Sequence, residues 1–205
     1  MNSAQPCPPP IVKEEIDLPN GYRTKLAFLL HNVMTEEECK NFITKSEEVG
    51  YEEALLNIGG GSRQIMMSEI RNSKRCIIDS YEYAAELWKR IKGFLPDDFE
   101  GKKILGLNER LRFLRYDPGH YFKEHLDGAY VRDNGEASVI TLLLYLNQGF
   151  EGGATTFLGI NNERISVVPK TGSVLIFQHD VRHEGSLLVK GRKYTVRTDV
   201  MASAT

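Results

Sequence analysis

Two segments in the first half of the chain have the apolar spacing of amphipathic helices. In TEEECKNFITKSEEVG, Thr35 and Glu38 form a capping box, and Gly50 marks the end of the predicted helix. Its apolar face is formed by Cys39, Phe42, Ile43 and Val49. In SYEYAAELWKRIKGFLP, the same spacing relates Ala84, Leu87, Trp88, Ile91 and Leu95. Both helices are predicted to pack their apolar faces on a sheet.

From residue 108 onward the pattern changes to short, often alternating apolar runs. These are ERLRFLRY, YFKEHLD, SVITLLLYLN, ATTFLG, ERISVVP, GSVLIFQH and RKYTVRTDVM. Gly, Pro or Asn turns separate them, and KLAFLLHNV adds a buried strand before the first helix. Two helices followed by seven or eight mostly sequence-adjacent strands predict an α+β, mainly β fold. Such a fold is a double-sheet barrel with the N-terminal helices bracing one sheet.

Composition predicts one domain and few special partners. Residues 1–20 are Pro-rich and polar, which predicts a flexible tail, so that residues 21–205 form the domain. With 26 basic and 28 acidic residues the formal net charge is -2, which gives no reason to expect an obligatory nucleic-acid partner. We expect no signal peptide, because the N-terminus has no basic region followed by an apolar run, and no membrane partner, because no apolar stretch approaches the ~20 residues of a membrane span.

The cysteines favour a reducing compartment. Cys7, Cys39 and Cys76 are odd in number and widely spaced, which fits neither a disulfide framework nor a zinc knuckle. The sequence therefore predicts a cytoplasmic or nuclear location.

The pair His125 and Asp127 is the candidate start of a metal site. On a strand, residues two apart project to the same face, so both side chains could reach one point. An isolated His-x-Asp pair is more often a surface hydrogen-bonded pair. A third ligand could come from His179 or His183, which both follow the apolar strand GSVLIFQ, and spacing does not separate them.

A cation on a predicted core strand supports the metal interpretation. Lys193 on the inward face of KYTVRTDV is costly unless an anion pairs with it. Thr195, Arg197 and Asp199 share its parity; Arg197 either binds a second anion or, as we prefer, is neutralised by Asp199. Two histidines and one aspartate leave one face of a ferrous ion open to O₂ and a chelating co-substrate. The inward cation would then anchor a carboxylate of that co-substrate.

Four segments in order resemble one enzyme family. RLRFLRYDPGHYFKEHLDG, ITLLLYLNQGFEGGATTF, VVPKTGSVLIFQHDVRHEG and GRKYTVRTDVM resemble the prolyl 4-hydroxylase-like branch of the Fe(II)/2-oxoglutarate dioxygenases. The match runs from about Leu26 to Met201. The resemblance implies a double-stranded β-helix (jelly-roll) core. It also implies that His125, Asp127 and His183 are the iron ligands.

The same resemblance implies how the co-substrate is held. Lys193 would form a salt bridge with the far carboxylate of 2-oxoglutarate, and Tyr145 would hydrogen-bond the same carboxylate. Tyr116 would lie on the pocket wall. Thr195 and Arg197 complete the candidate cofactor-binding residues.

The reaction implied by the resemblance is hydroxylation of a C–H bond, with release of succinate and CO₂. The cofactors would be Fe(II), 2-oxoglutarate and O₂, with ascorbate as a candidate reductant. A prolyl residue of a protein or peptide is the first candidate substrate. Phe122 stands where many prolyl hydroxylases have tyrosine, which keeps a small molecule or a nucleobase as the alternative. A non-catalytic binding barrel is disfavoured, because the three implied iron ligands and the lysine for the co-substrate are all present.

Two further features belong to the surroundings of the predicted site. NIGGGSRQ and IRNSKR are candidates for a substrate lid, with Arg71, Lys74 and Arg75 as basic contacts, although an ordinary solvated loop explains them equally well. Thr156 is a candidate hydrogen-bond donor behind the metal ligands.

Overall fold

The computed structural model describes residues 9–54, 56–58, 63–65, 67 and 69–204. Its helices are α1 (Glu36–Val49) and α2 (Tyr81–Ile91), with short 3₁₀ helices at Lys92–Phe94 and Ile160–Asn162. Its strands are β1 (Val12–Glu15), β2 (Ala27–His31), β3 (Glu52–Glu53), β4 (Leu56–Ile58), β5 (Arg63–Ile65), β6 (Lys74–Asp79), β7 (Asp98–Phe99), β8 (Lys102–Leu107), β9 (Arg110–Tyr116), β10 (Phe122–His125), β11 (Ala137–Tyr145), β12 (Glu151–Gly152), β13 (Thr155–Leu158), β14 (Arg164–Val167), β15 (Val174–Gln178), β16 (His183–Gly185), β17 (Leu188–Lys190) and β18 (Lys193–Ala202). Within the described ranges, neither helix is long and apolar enough to cross a membrane.

The two predicted helices are confirmed, and the structure shows an N-terminal cap on each. At the start of α1 the backbone N–H of Glu38 donates to the Thr35 hydroxyl, and the backbone N–H of Thr35 donates to the Glu38 carboxylate. The hydroxyl of Ser80 caps α2 by accepting from the backbone N–H of Tyr83. Val49 was expected on the apolar face but is 54% exposed, because it is the last residue of its helix.

Antiparallel strands build two principal sheets. The larger has the order β1-β2-β15-β11-β18-β9-β6-β3, with β8 also paired to β18 and β7. The smaller has the order β10-β16-β13-β14. Two further pairs, β12-β17 and β4-β5, stand apart from them. This arrangement confirms the predicted mainly β, jelly-roll fold.

Alternation along the strands of the larger sheet separates a structural face from a functional one. On β15, Val174 and Ile176 belong to the core that includes Leu87 and Ile91 of α2. Leu175 and Phe177, between them in sequence, join the second core with Phe157 of β13 on the smaller sheet. The helices therefore cover the outer face, and the inner face points toward the smaller sheet.

The predicted flexible tail over residues 1–20 was wrong for part of its length. Val12–Glu15 form β1, which pairs with β2 in the register Val12↔His31. Leu18 is 3% exposed and belongs to the core between the sheets. All four side chains of β1 are exposed, so no apolar alternation marks this edge strand in the sequence. Residues 1–8 lie outside the described residues.

The predicted lid is also corrected in its second half. Lys74 and Arg75 lie on β6, which pairs with β9 inside the larger sheet, and Arg75 forms an ion pair with Glu52. Neither residue can be a basic contact on a mobile loop. The glycines of NIGGGSRQ, residues 59–61, lie outside the described residues.

Candidate metal centre

Two neighbouring strands and the loop after one of them bring the predicted metal ligands together. His125 ends β10 and His183 begins β16, and these two residues are register partners in the smaller sheet. Asp127 follows β10, and its backbone N–H donates to the carbonyl of His179 at 3.0 Å. The expectation that Asp127 would lie on the strand itself was wrong, because β10 ends at His125. Candidate ligand atoms of all three side chains nevertheless lie within 4.8 Å of one another.

The orientation of both imidazoles leaves one nitrogen of each available to an ion. Nδ1 of His125 is 2.7 Å from the carbonyl oxygen of Lys123, and Nδ1 of His183 is 2.9 Å from that of Val181. A carbonyl only accepts, so each Nδ1 carries the proton and each Nε2 is an acceptor. The Nε2 atoms lie 3.8 and 3.7 Å from the Asp127 carboxylate oxygens. Two ligands that each bind one ion at about 2.1 Å lie at most about 4.2 Å apart, so these spacings fit a shared metal.

The protonation states also suit a divalent cation. Burial, with a smaller effect of His183, lowers the pKa of His125 to about 3, and burial also lowers the pKa of His183. Burial opposes ionisation of Asp127, but Arg197 and the two imidazoles hold the pKa of its carboxyl below the ordinary value. Neutral imidazoles and an ionised carboxylate are the forms in which these groups bind metals.

His179, the rival ligand, lies behind the metal centre. Its Nδ1 is 2.9 Å from the hydroxyl of Thr141, and its Nε2 is 2.9 Å from the hydroxyl of Ser138. Thr141 in turn donates to Oδ2 of Asp127 at 2.6 Å. Both nitrogens of His179 are therefore engaged, and the residue supports Asp127 through Thr141 and through its own carbonyl.

Arg197 pairs internally, as the sequence favoured, and it does so with two carboxylates. Its Nη2 lies 3.0 Å from Asp199 and 3.2 Å from Asp127. Nη2 has no hydrogen-bond partner among the described residues, so both are ion-pair contacts. Asp199 also accepts a hydrogen bond from Arg112 at 2.9 Å. The carboxylate of Asp127 consequently has the Thr141 hydroxyl at one oxygen and the Arg197 guanidinium at the other. Direct binding of 2-oxoglutarate was the alternative role for Arg197.

Lys193 is a buried cation in the same cavity as the metal ligands. It is 3% exposed, and its ammonium donates to the carbonyl of Gly153 at 2.7 Å. Among the described residues no carboxylate lies within 4.0 Å of it, and burial lowers its pKa to about 7. Tyr116, its register partner, lines the cavity with its ring centroid 5.0 Å from the ammonium. A buried ammonium of this kind is poised to receive an anion.

The other two predicted co-substrate contacts differ in position. The hydroxyl of Thr195 lines the cavity and is buried without a hydrogen-bond partner in the described structure, so it is free to donate. Tyr145 is fully buried, and its hydroxyl donates to Thr155 at 2.8 Å. Thr155 lines the cavity, so a contribution of Tyr145 to anion binding would pass through that hydroxyl.

Several residues of the cavity were not identified from the sequence. Arg112 lines it and shares the strand parity of Tyr116, a signal that could have found it. Thr141 likewise shares the parity of Tyr145 on β11. The candidate donor Thr156 was a wrong choice, because its hydroxyl contacts Ser166 and Ser186 away from the cavity, whereas its neighbour Thr155 lines it.

Comparison with known proteins shows which proteins this chain resembles. Residues 111–198 match the 2OG-Fe(II) oxygenase superfamily. "Probable prolyl 4-hydroxylase 8" of Arabidopsis thaliana is 26% identical over 200 residues, covering 82% of this chain and 66% of that protein. The chain therefore spans about two thirds of the length of this relative.

Solved structures show the same fold at lower identity. A prolyl-4-hydroxylase from Pseudomonas putida superposes with a TM-score of 0.63 at 17% identity, over 89% of this chain and 96% of its own. A prolyl hydroxylase from Trichoplax adhaerens, solved with a peptide fragment of the hypoxia inducible factor oxygen degradation domain, gives a TM-score of 0.66 at 17% identity. That match covers 87% of this chain and 84% of the other.

The fold and the comparisons indicate the same class of protein. Residues 111–198 match the model of the 2OG-Fe(II) oxygenase superfamily, which is a class of enzymes. The resemblance of the chain to the prolyl 4-hydroxylase-like branch is confirmed by its relatives. This superfamily implies Fe(II) and 2-oxoglutarate as cofactors, and the cluster of His125, Asp127 and His183 fits the metal.

Proposed function

We propose that the protein is an Fe(II)- and 2-oxoglutarate-dependent dioxygenase that hydroxylates a prolyl residue of a protein or peptide, with release of succinate and CO₂. One observation carries the proposal. The cluster of His125, Asp127 and His183 lines the same cavity as Lys193, a buried cation with no carboxylate partner among the described residues.

Each group in the cavity has a role in this reaction. His125, Asp127 and His183 would hold Fe(II), which together with 2-oxoglutarate and O₂ supplies the chemistry that transfers an oxygen atom to a C–H bond. Lys193 and the free hydroxyl of Thr195 would receive the far carboxylate of 2-oxoglutarate. A carboxylate bound there would supply the counter-charge that Lys193 lacks among the described residues.

Apolar side chains next to the ligands keep water from the reacting atoms. The ring of Phe177 meets that of His183 edge-on with 4.7 Å between centroids, and Phe122 stacks on His125 at 3.6 Å. Leu143 lines the same cavity. Such a wall protects a reactive centre from side reactions with solvent.

A prolyl substrate is supported by relatives and solved structures that are named as prolyl hydroxylases. A peptide is the form of substrate in the Trichoplax complex. Phe122 keeps a small molecule or nucleobase as the alternative substrate within the same chemistry. Ascorbate is proposed as the reductant that sustains turnover, and the cytoplasmic or nuclear location stays a prediction.

The test is succinate formation with Fe(II), 2-oxoglutarate and O₂ in the presence of proline-containing peptides. Asp127→Ala should lower the rate at least about a hundredfold, because it removes a ligand that is itself hydrogen-bonded. The matched control is Asp133→Ala, an exposed aspartate that should keep the wild-type rate. Undiminished turnover by Asp127→Ala would refute the site. Product mass spectra that gain one oxygen atom on metabolites and not on peptides would favour the alternative substrate.

A further inference from the structure

Arg71 lines the cavity, and backbone contacts fix its position. Its backbone N–H donates to the carbonyl of Met67 at 2.9 Å, and the residue forms an antiparallel bridge with Phe122. Its guanidinium lies 4.7 Å from the centroid of the Phe122 ring, which also stacks on His125. Arg71 is therefore separated from a metal ligand by a single aromatic ring.

Within the described part of the chain, the guanidinium of Arg71 has no counter-ion. Its Nε donates to the hydroxyl of Ser73 at 3.0 Å, and among the described residues no carboxylate lies within 4.0 Å of it. No residue outside the described ranges has an acidic side chain that could supply one. Burial lowers the pKa of Arg71, and the charge of Asp127 acts in the opposite direction. The Asp127 carboxylate already contacts Arg197.

A charge count extends this observation to the whole cavity. Four cations line it: Arg71, Arg112, Lys193 and Arg197. Asp127 and Asp199 oppose them, so the count is 4 − 2 = +2. Glu184 also lines the cavity, but it is paired with Arg164 and adds nothing to the balance. An Fe(II) ion and a 2-oxoglutarate dianion carry opposite charges of equal size, so the excess of two positive charges persists when both are bound.

Uncompensated charge in a partly buried cavity is costly, and a bound anion removes the cost. Three of the four cations are accounted for, because Arg112 and Arg197 contact carboxylates and Lys193 is assigned to 2-oxoglutarate. Arg71 remains. A guanidinium presents a planar fork of donors that matches a carboxylate, and the Ser73 contact uses Nε alone.

We propose that Arg71 binds a carboxylate of the substrate, so that the preferred peptide has an acidic side chain next to the residue that is oxidised. The inference rests on the proposed function for the position of the reacting centre. Recognition of the carboxylate itself requires only that the peptide enters the cavity above His125.

Four capped dipeptides test the effect of the acidic side chain separately from the effect of the proline. Acetyl-Glu-Pro-amide, acetyl-Gln-Pro-amide, acetyl-Glu-Ala-amide and acetyl-Gln-Ala-amide are titrated into the full chain loaded with Zn(II) and 2-oxoglutarate, which cannot turn over. Wild type should bind each Glu peptide about tenfold more tightly than its Gln partner, and added salt should reduce the difference. Arg71→Gln should abolish this preference, and Arg71→Lys should retain part of it.

Controls distinguish loss of the anion contact from loss of the fold. Both Arg71 variants should bind 2-oxoglutarate with unchanged affinity. Arg182→Gln, an exposed arginine whose side chain is 51% accessible, should keep the preference for Glu. The proposal is overturned if wild type binds Glu and Gln peptides equally, if it binds no Glu peptide, or if Arg71→Gln keeps the preference. A preference for Glu without any preference for Pro would retain the role of Arg71 and count against a prolyl substrate.

Discussion

At the scale of single residues, Asp127 is the most constrained group of the candidate metal centre. Thr141 donates to its Oδ2, Arg197 faces its Oδ1, and its backbone N–H donates to the carbonyl of His179. The Thr141 hydroxyl is in turn positioned by Nδ1 of His179. A carboxylate held in this way has one orientation, which lowers the entropic cost of binding a metal.

Thr141→Val is the substitution that tests this support. It removes the hydroxyl and nearly preserves the shape of the side chain, so the carboxylate loses its donor while the three ligands stay in place. We expect the affinity for Zn(II) to fall about tenfold. A competition titration with a metal-binding dye measures it without requiring turnover.

Thr156→Val provides the matched control, because Thr156 is also a strand threonine but bonds Ser166 and Ser186 away from the cavity. Its metal affinity should equal that of wild type. Equal affinities for Thr141→Val and wild type would mean that Asp127 does not depend on this hydrogen bond.

Some residues of the site can be predicted from a local sequence pattern, and others cannot. His125 and Asp127 are two apart, and Lys193 is a cation on the inward face of a predicted core strand, so the sequence could identify all three. His179 and His183 follow the same strand, and only their opposite environments in the folded chain separate them. Contacts such as that between Thr141 and His179 join residues 38 positions apart and leave no local signal.

At the scale of elements, Glu38 joins the two helices that brace the larger sheet. Its carboxylate accepts from the backbone N–H of Thr35 in the capping box of α1 and from both terminal nitrogens of Arg90 on α2. The Arg90 guanidinium also donates to the carbonyl of Val33. One acidic side chain therefore fixes the start of α1 and its position relative to α2.

Glu38→Gln should lower the free energy of unfolding by about 1 kcal/mol at pH 7. The hydrogen bond from Arg90 holds the pKa of Glu38 at about 2, below that of the unfolded chain near 4.3. A depressed folded-state pKa contributes stability above the unfolded value, and this stability is lost as pH falls through the folded one. The difference between variant and wild type should therefore be full at pH 7 and smaller at pH 3.

Urea unfolding at several pH values measures this dependence. Glu37→Gln is the control, because Glu37 is an exposed residue of the same first turn without the Arg90 contact. Its effect should be no more than a few tenths of a kcal/mol. A difference for Glu38→Gln that stays constant from pH 7 to pH 3 would contradict the assigned role of the carboxylate.

The elements themselves differ in how visible they are in the sequence. Both helices were predicted from their apolar spacing, and at α1 that spacing coincides with a capping box that begins at Thr35. β1 was missed because an edge strand with four exposed side chains has no apolar face. β6 was taken for a basic loop because its first residues are charged, and their neutralisation by Glu52 and Glu53 depends on the pairing of β6 with β3.

At the scale of the whole molecule, the site joins the two sheets. The histidines belong to β10 and β16 of the smaller sheet, whereas Lys193 and Thr195 belong to β18 in the larger one. A metal bound by the histidines and a dianion bound by Lys193 would therefore add a link between layers that also meet through the Phe157–Phe177 contact and the hydrogen bond from Tyr145 to Thr155. Binding of both should stabilise the fold against unfolding as well as complete the site.

The stabilisation by 2-oxoglutarate can be measured as a change in the thermal midpoint (Tm) of the Zn(II)-loaded protein. At about a hundred times its Kd, 2-oxoglutarate should add roughly 2.7 kcal/mol of stability and raise Tm by about 5–10 °C. Lys193→Met should lose this increase at the same concentration, because it removes the cation that faces the carboxylate. Its unliganded midpoint should not fall, since the substitution also removes a buried ammonium whose pKa burial lowers to about 7. Lys190→Met, at an exposed lysine of β17, should keep the wild-type increase, and an equal increase for Lys193→Met would show that the dianion is held elsewhere.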